Sequence, residues 1–221
     1  MLNFAQNSRE MKKEKTFREC KLSWLERTFG LDQMDDLPSL TDWLSVKTVV
    51  DAEEQRSLLR LQKSLKFNFR DWYEGELDSY FIGPVMALVD YSNKKSNIFS
   101  DRLIESTVEE WRLYGKPDSF LASGRREPEI PFFAFQEYKK MTDPDGDPAG
   151  QALAAMLAGQ VLNDNGLPMY GCHVIGGDWY FMTLQGKEFA ISRDYSALTN
   201  EIFDIFSILK TLKAIVAQRV Q

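Results

Sequence analysis

Apolar residues recur at three- and four-residue spacing in several stretches of the chain, the pattern of helices that bury one face. Leu58, Leu61, Leu65 and Phe69 follow Asp51-Ala-Glu-Glu, an N-cap candidate with acids in the first turn, and predict a helix from there. A second helical stretch carries Phe69, Trp72, Tyr73, Leu77, Tyr80 and Phe81, and Gly83-Pro84 is expected to break or kink it. Gln151 to Leu162 is a helix of small residues with Asp147 as N-cap and Pro148 at its first position; Asn163-Asp-Asn-Gly166 stops it. Ala197 to Val220 predicts a long amphipathic helix, with Ile202, Ile205, Phe206, Leu209, Leu212 and Val216 on one stripe, either a core face or a dimer seam.

Between these helices the pattern turns to strands. Runs around Ile98–Val108 and Asp118–Ser123 precede a stronger one, Pro131-Phe-Phe-Ala-Phe-Gln-Glu-Tyr-Lys, rich in aromatic residues. Tyr170–Ile175 and Trp179–Leu184 read as a hairpin across Gly176-Gly177. Upstream, residues 1–20 read as a polar, helix-capable arm, and residues 22–44 as short apolar pieces broken by Asp-rich turns and Pro38. The sum is a mixed α/β fold, with a partly helical N-terminal extension over 1–47 and a main domain over 48–221.

Composition narrows the functions. The chain has 221 residues, 43% hydrophobic and 13% aromatic, enough for one sizeable core and too apolar for disorder. Its longest apolar stretch, Phe81 to Val89, is interrupted by Gly83-Pro84, whereas a membrane span needs about 20 apolar residues; no membrane partner is expected. The opening MLNFAQNSREMKKEKTFREC has no apolar core of a secretory signal, and Cys20 and Cys172 make no ligand-type spacing, so free thiols in a reducing cytoplasm are expected. The net charge of −6 argues against a sequence-blind nucleic-acid binder with a uniformly basic face.

His173 is the only histidine, which excludes multi-histidine metal cages and HExxH sites. Cys172 beside it points to the opposite face of a strand, so a Cys-His pair is not expected. No GxGxxG or GxxxxGK[ST] follows a strand. Asp143, Asp145 and Asp147 imitate a calcium loop, but the sixth and twelfth positions are Pro148 and Ala154; a turn and helix cap is the better expectation. Lys94-Lys95, Arg125-Arg126 and Lys139-Lys140 face either phosphates or bulk water. The remaining chemistry rests on carboxylates, lysine and a hard metal. Glu137 and Lys139 lie two apart on one strand and share a face, and Asp118 opens the preceding strand. If Asp118 sits across from Glu137, the two carboxylates suit Mg²⁺.

This Pro-Asp, spacer, Glu-x-Lys order resembles the PD-(D/E)XK nuclease superfamily, whose core is restriction-endonuclease-like. The resemblance is clearest over GKPDSFLASGRREPEIPFFAFQEYKK, Gly115 to Lys140, with the following Gln-Ala-Leu-Ala-Ala-Met helix, and points to a bacterial branch of that superfamily. It extends over about 71–175, since the family core runs helix, three strands, helix, strand. It implies a mixed central sheet flanked by helices, with Mg²⁺ or Mn²⁺ held by Asp118 and Glu137 and Lys139 as the catalytic lysine. A further glutamate from the first core helix is implied, Glu76 first and Glu74 second, and a polar residue on the helix after the Glu-x-Lys strand, Gln151 before Gln160. The implied partner is nucleic acid, DNA first; the oligomeric state is open, with a homodimer the commonest assembly on general grounds. The alternatives are a catalytically silent binding or assembly module of the same fold and an unrelated α/β protein.

Overall fold

The computed structural model describes residues 13–142 and 146–220. A short strand, β1 (Lys13–Thr16), leads through a single 3-10 turn into α1 (Leu22–Phe29), β2 (Asp32–Gln33) and α2 (Pro38–Ser45). Then come α3 (Ala52–Asn68), α4 (Glu74–Leu77) and α5 (Gly83–Val89), the last two joined by a π-helical turn over Asp78–Ile82. Strands β3 (Ser96–Phe99), β4 (Ile104–Val108), β5 (Trp111–Gly115), β6 (Ser119–Ser123) and β7 (Glu129–Lys139) follow. Helix α6 (Pro148–Asn163) crosses over to β8 (Met169–Ile175); β9 (Asp178–Gln185), β10 (Glu188–Ile191), β11 (Tyr195–Ser196) and α7 (Ile202–Arg219) complete the chain.

A large sheet runs in the order β2-β10-β9-β8-β7-β6-β3, with β11 added beside β9, and a small sheet runs β1-β5-β4. The large sheet is mixed: β7 pairs parallel with β8 and β2 parallel with β10, the other pairs being antiparallel. Parallel neighbours need a long crossover, and α6 supplies it. Helices α2, α3, α5 and α7 cover one face of this sheet; α6, α1 and the small sheet cover the other. The protein is thus a mixed α/β structure with a large mixed sheet flanked by helices.

Local chemistry accounts for the clearest elements. Asp51 Oδ1 accepts the amides of Glu53 and Glu54 at 2.8 and 2.9 Å, while Glu54 reaches back to the Asp51 amide, a reciprocal cap that starts α3. Leu58 and Leu65 are fully buried on its inner face, each contributing about 2 kcal/mol from apolar area removed from water. Asp147 caps α6 through Gly150 N at 2.9 Å, and its second oxygen takes Leu22 N at 2.9 Å, so one carboxylate ties two helix starts together. Every residue from Pro148 to Gly159 is buried, because this helix is apolar all round and lies between the two sheets. The small residues permit that: a Cβ on Gly150 would stand 2.6 Å from Cys20 O and 2.8 Å from Leu22 N. The expected stripe of α7, Ile202 to Val216, lies in the core, so it is not free to form a dimer seam. The hairpin turns at Gly176, whose φ of +59° favours glycine.

Four expectations need correction. The segment 13–20 of the presumed helical arm is a strand and a 3-10 turn that bury Phe17 and Cys20; residues 1–12 lie outside the described residues. The described part of the extension, 13–47, is built in, since β1 and β2 each join a sheet and Trp43 packs in the core. The run Ile98–Val108 is two strands in different sheets, and β5 was not expected at all. Gly83-Pro84 does not end the helix. Gly83 N bonds to Asp78 O, five residues back, and this wider turn makes room for a proline inside a continuous helical run. Among the described residues no helix is long and apolar enough to cross a membrane. Cys20 and Cys172 are free and buried, and burial pushes the Cys20 thiol up to about 12.

Candidate active site

The antiparallel register of β6 and β7 ends at Ser119 opposite Gln136. Asp118 stands just before β6, beyond the last registered pair, and its charge acts on Glu137 at the end of β7. Pro117 biases Lys116 to extended backbone and so aims the chain into β6. Asp118 Oδ2 then accepts the backbone N–H of Tyr138 at 2.6 Å, which closes the strand pair where the backbone ladder stops. On the opposite face, Ser119 Oγ lies 2.5 Å from Gln136 Oε1 and 2.7 Å from the Tyr138 hydroxyl, and that hydroxyl donates to Gln136 Oε1 at 2.5 Å. This buried triangle fixes β6 against β7 beneath the carboxylates.

Glu137 and Lys139 follow Phe135 by the two-residue period, so they point to the face that α6 covers. Both are buried, at 8% and 7% exposure, and Lys139 Nζ sits 2.7 Å from Glu137 Oε1. Glu74, in the first turn of α4, brings Oε1 to 3.7 Å from the same ammonium. Two buried charges side by side cost desolvation, which their attraction offsets only in part. Burial first, then the nearby Asp118 charge, raise the Glu137 carboxyl to about 7 against the pull of Lys139. Partial burial of its carboxylate also raises Asp118, although the residue as a whole is open to solvent; the Tyr138 amide and Lys139 oppose the shift. For Lys139 burial favours the neutral amine, but Glu137, Glu74 and Asp118 outweigh it and its pKa is raised. Lys139 is therefore a cation, and the three carboxylates around it leave an excess of negative charge.

A cleft of about 300 Å³ opens beside Asp118, lined by Glu74, Asp78, Asp101, Lys116 and Tyr138 among others. A second, of about 410 Å³, shares Asp78, Asp118 and Tyr138 and runs toward Tyr91 and Phe99. Burial raises the pKa of Asp78, on the π turn.

The structure brings Asp118, Glu137 and Lys139 together, with Glu74 rather than Glu76 as the glutamate from the helix. Glu76 Oε2 accepts the Tyr73 amide at 2.9 Å and is spent on capping α4, on the exposed side. The sequence signal was present: Glu76 stands three residues after Tyr73, the spacing of a reciprocal cap. Gln151 sits in the first turn of α6 and is buried; among the described residues its Nε2 has no hydrogen-bond partner and lies against Gly146, with no bond to Asp118, Glu137 or Lys139. Gln160 instead holds Gly186 through both its amide atoms and has no part in the cluster. His173 pairs in register with Glu137 on the next strand, but stacks on Tyr180 at 4.6 Å with its ring 2° from parallel; burial holds it neutral, with a pKa near 4. Asp147 is a helix cap, and Asp143 and Asp145 lie outside the described residues. Lys94, Lys95, Arg125 and Arg126 are exposed to solvent.

Among the described residues no three Asp, Glu, His or Cys side chains form a ready-made metal cage. Asp118 and Glu137 are hard-oxygen donors of the kind Mg²⁺ takes, since that ion uses one or two carboxylates and keeps several waters. The excess negative charge and the raised carboxyl pKa values are what a divalent cation would relieve. Compared with models of known protein families and with curated proteins, the chain matches none.

Proposed function

We propose that this protein is a Mg²⁺- or Mn²⁺-dependent nuclease with a restriction-endonuclease-like core, hydrolysing phosphodiester bonds in nucleic acid, DNA foremost. The observation that carries this is the gathering of Asp118, Glu137 and Lys139 where β6 meets β7: Asp118 holds the Tyr138 amide, its charge acts on Glu137, and Lys139 bonds to Glu137. The order of elements supports it: the α4–α5 run, three antiparallel strands β3, β6 and β7, the crossover α6, and the parallel strand β8, with β4 and β5 inserted as a hairpin.

Asp118 and Glu137 would hold the cation, and Glu74 is the nearest further carboxylate. Bound there, the metal supplies a Lewis acid for a phosphoryl oxygen and lowers the pKa of a bound water. A cation there would need Glu137 as the carboxylate and would compete with its bond to Lys139, whose ammonium lies on the same strand face. Because its pKa is raised, Lys139 serves to stabilise negative charge developing on the phosphate rather than to accept a proton. Asp118 Oδ2 accepts the Tyr138 amide, which would hold this carboxylate in place beside a cation.

A second reading, a binding or assembly module without turnover, has one observation in its favour: Lys139 closes on Glu137, and the cleft carries Glu74, Asp78 and Asp101 while its Lys116 is already paired with Asp101 at 3.0 Å. One assay separates the two. Purified protein with Mg²⁺ or Mn²⁺ is expected to cut DNA or RNA, and Glu137→Ala and Lys139→Ala each to abolish cutting while the fold, followed by circular dichroism, persists. No cutting under any metal, with no heat of metal binding by calorimetry, leaves the module.

A further inference from the structure

The second half of α3 is a basic stripe in an acidic protein. From Gln55 to Arg70 the chain has five Lys or Arg residues and no Asp or Glu. Arg56, Arg60, Lys63 and Lys66 recur at four- and three-residue intervals, so they stand along one face of the helix, and Arg70 follows at its end. All five are exposed, while Leu58, Gln62 and Leu65 turn inward. None makes an ion pair among the described residues; Lys66 donates only to the neutral Gln62. Cations elsewhere are commonly matched, as Lys47 is with Asp204 and Lys210 with Glu54. A shallow depression of about 580 Å³ lies on the stripe, lined by Arg60, Lys63, Ser64, Lys66, Phe67 and Asn68, with Phe67 86% exposed.

The stripe leads to the candidate active site. Thr142 Oγ1 donates to Arg70 O at 3.1 Å, which ties the end of α3 to the chain just past Lys139, and Lys140 Nζ stands 5.7 Å over the Tyr73 ring, next to Glu74. Beyond Arg70 the charge changes sign, with Asp71, Glu74, Glu76 and Asp78. Unmatched cations along a helix face attract a polyanion, and an acid cluster at their end attracts a divalent cation; a phosphodiester chain that reaches the metal needs both. Arg56 to Lys66 covers about 15 Å, the axial run of about four phosphates on one strand.

We propose that the Arg56-Arg60-Lys63-Lys66-Arg70 face of α3 is the track that binds the phosphate backbone of nucleic acid and feeds it to the Asp118–Glu137 site. This rests on the reading of the protein as a nuclease, and binding without metal is measured apart from cutting. The probe is a fluorescent 30-base-pair DNA duplex in EDTA at low salt, with single-stranded DNA, RNA and anionic phospholipid vesicles in parallel arms. Wild type is expected to bind duplex or single strands with affinity that falls steeply with salt. Arg60→Glu/Lys63→Glu is expected to weaken binding roughly tenfold or more and to lower the log–log salt slope by about two. The exposed pair Lys94→Glu/Lys95→Glu is the control and is expected to change little. Equal losses in the two double variants, an unchanged Kd in the stripe variant, absence of nucleic-acid binding by wild type, or binding to vesicles alone would each overturn the track. Lys139→Ala is expected to keep its affinity in EDTA while losing cutting. Stripe-dependent binding with no cutting under any metal keeps the track and removes the nuclease; cutting with stripe-independent binding does the reverse. Both double variants change exposed side chains, and unchanged thermal unfolding verifies the fold.

Discussion

The Asp118 carboxylate accepts the Tyr138 amide at 2.6 Å, so the first residue of the candidate site also fastens the start of β6 to the end of β7. Structural and chemical roles in this residue can be separated. Asp118→Asn retains an oxygen acceptor for the amide and removes the charge. Thermal unfolding is expected to move little, while metal-dependent cutting falls by at least about a hundredfold. Asp118→Ala loses both, with a stability cost of about 1–3 kcal/mol from the unpaired amide, read by urea unfolding.

Lys139→Met keeps an unbranched side chain one atom shorter and strands Glu137 without its partner. The expected cost is on the order of 3 kcal/mol at pH 8. At pH 5 the loss shrinks, because Glu137 escapes by taking a proton. Glu137→Gln in the same chain removes the stranded charge, and the double variant is expected to recover most of the stability. Urea melts at the two pH values test this; equal losses at both would show that packing, not charge, sets the cost.

Glu137 also makes the stability of the whole protein depend on pH. Its carboxyl is raised to about 7 in the folded chain, against 4.5 for the free group. Between those values the folded state holds more protons than the unfolded one, so stability falls as pH rises. The contribution is fully present below about pH 4.5 and lost as pH passes through about 7. Glu137→Gln is expected to flatten that slope in thermal unfolding from pH 4.5 to 8. Magnesium reverses part of it: millimolar Mg²⁺ is expected to raise Tm more at pH 8 than at pH 5.5, where protons compete for the carboxylates, and to have no effect on Asp118→Ala.

Gly150→Ala tests how the N-terminal segment is seated. The added methyl would meet backbone atoms of Cys20 and Leu22, which cannot swing aside like a flexible side chain. A loss of about 2 kcal/mol or more is expected in urea unfolding, from an exchange that in an open helix would be stabilising.

The elements legible in the sequence were those whose signal is local. The reciprocal cap at Asp51, the small-residue helix after Asp147 and the glycine turn at Gly176 each carry their own instruction. Glu137 and Lys139 were legible for the same reason, since two residues apart on a strand means one face, and Asp118 followed once the strand start was found. The rest depended on distant partners. Lys13-Glu-Lys-Thr16 has no apolar period and becomes a strand because β5 offers it a parallel edge nearly a hundred residues away. Trp111–Gly115 is half-exposed, and the turn before it uses Glu109 at a φ of +53°, where a glycine would have signalled the bend. The basic residues of α3 did not stand out beside its apolar period; their exposure and their lack of ion pairs among the described residues give them meaning. Glu74 and Glu76 differ by the phase of two helical residues within α4, and the π turn sets how that short helix is turned relative to α5.

That turn holds one residue more than an ordinary helical turn. Every residue before it is therefore offset by about 100° from the azimuth a regular helix would give it relative to Pro84. Excising a single residue from Asp78–Ile82 would make a straighter helix and carry Glu74 away from Lys139 around the barrel of the helix. The acid composition of the cleft is thus written in the length of the backbone as well as in the identity of its side chains.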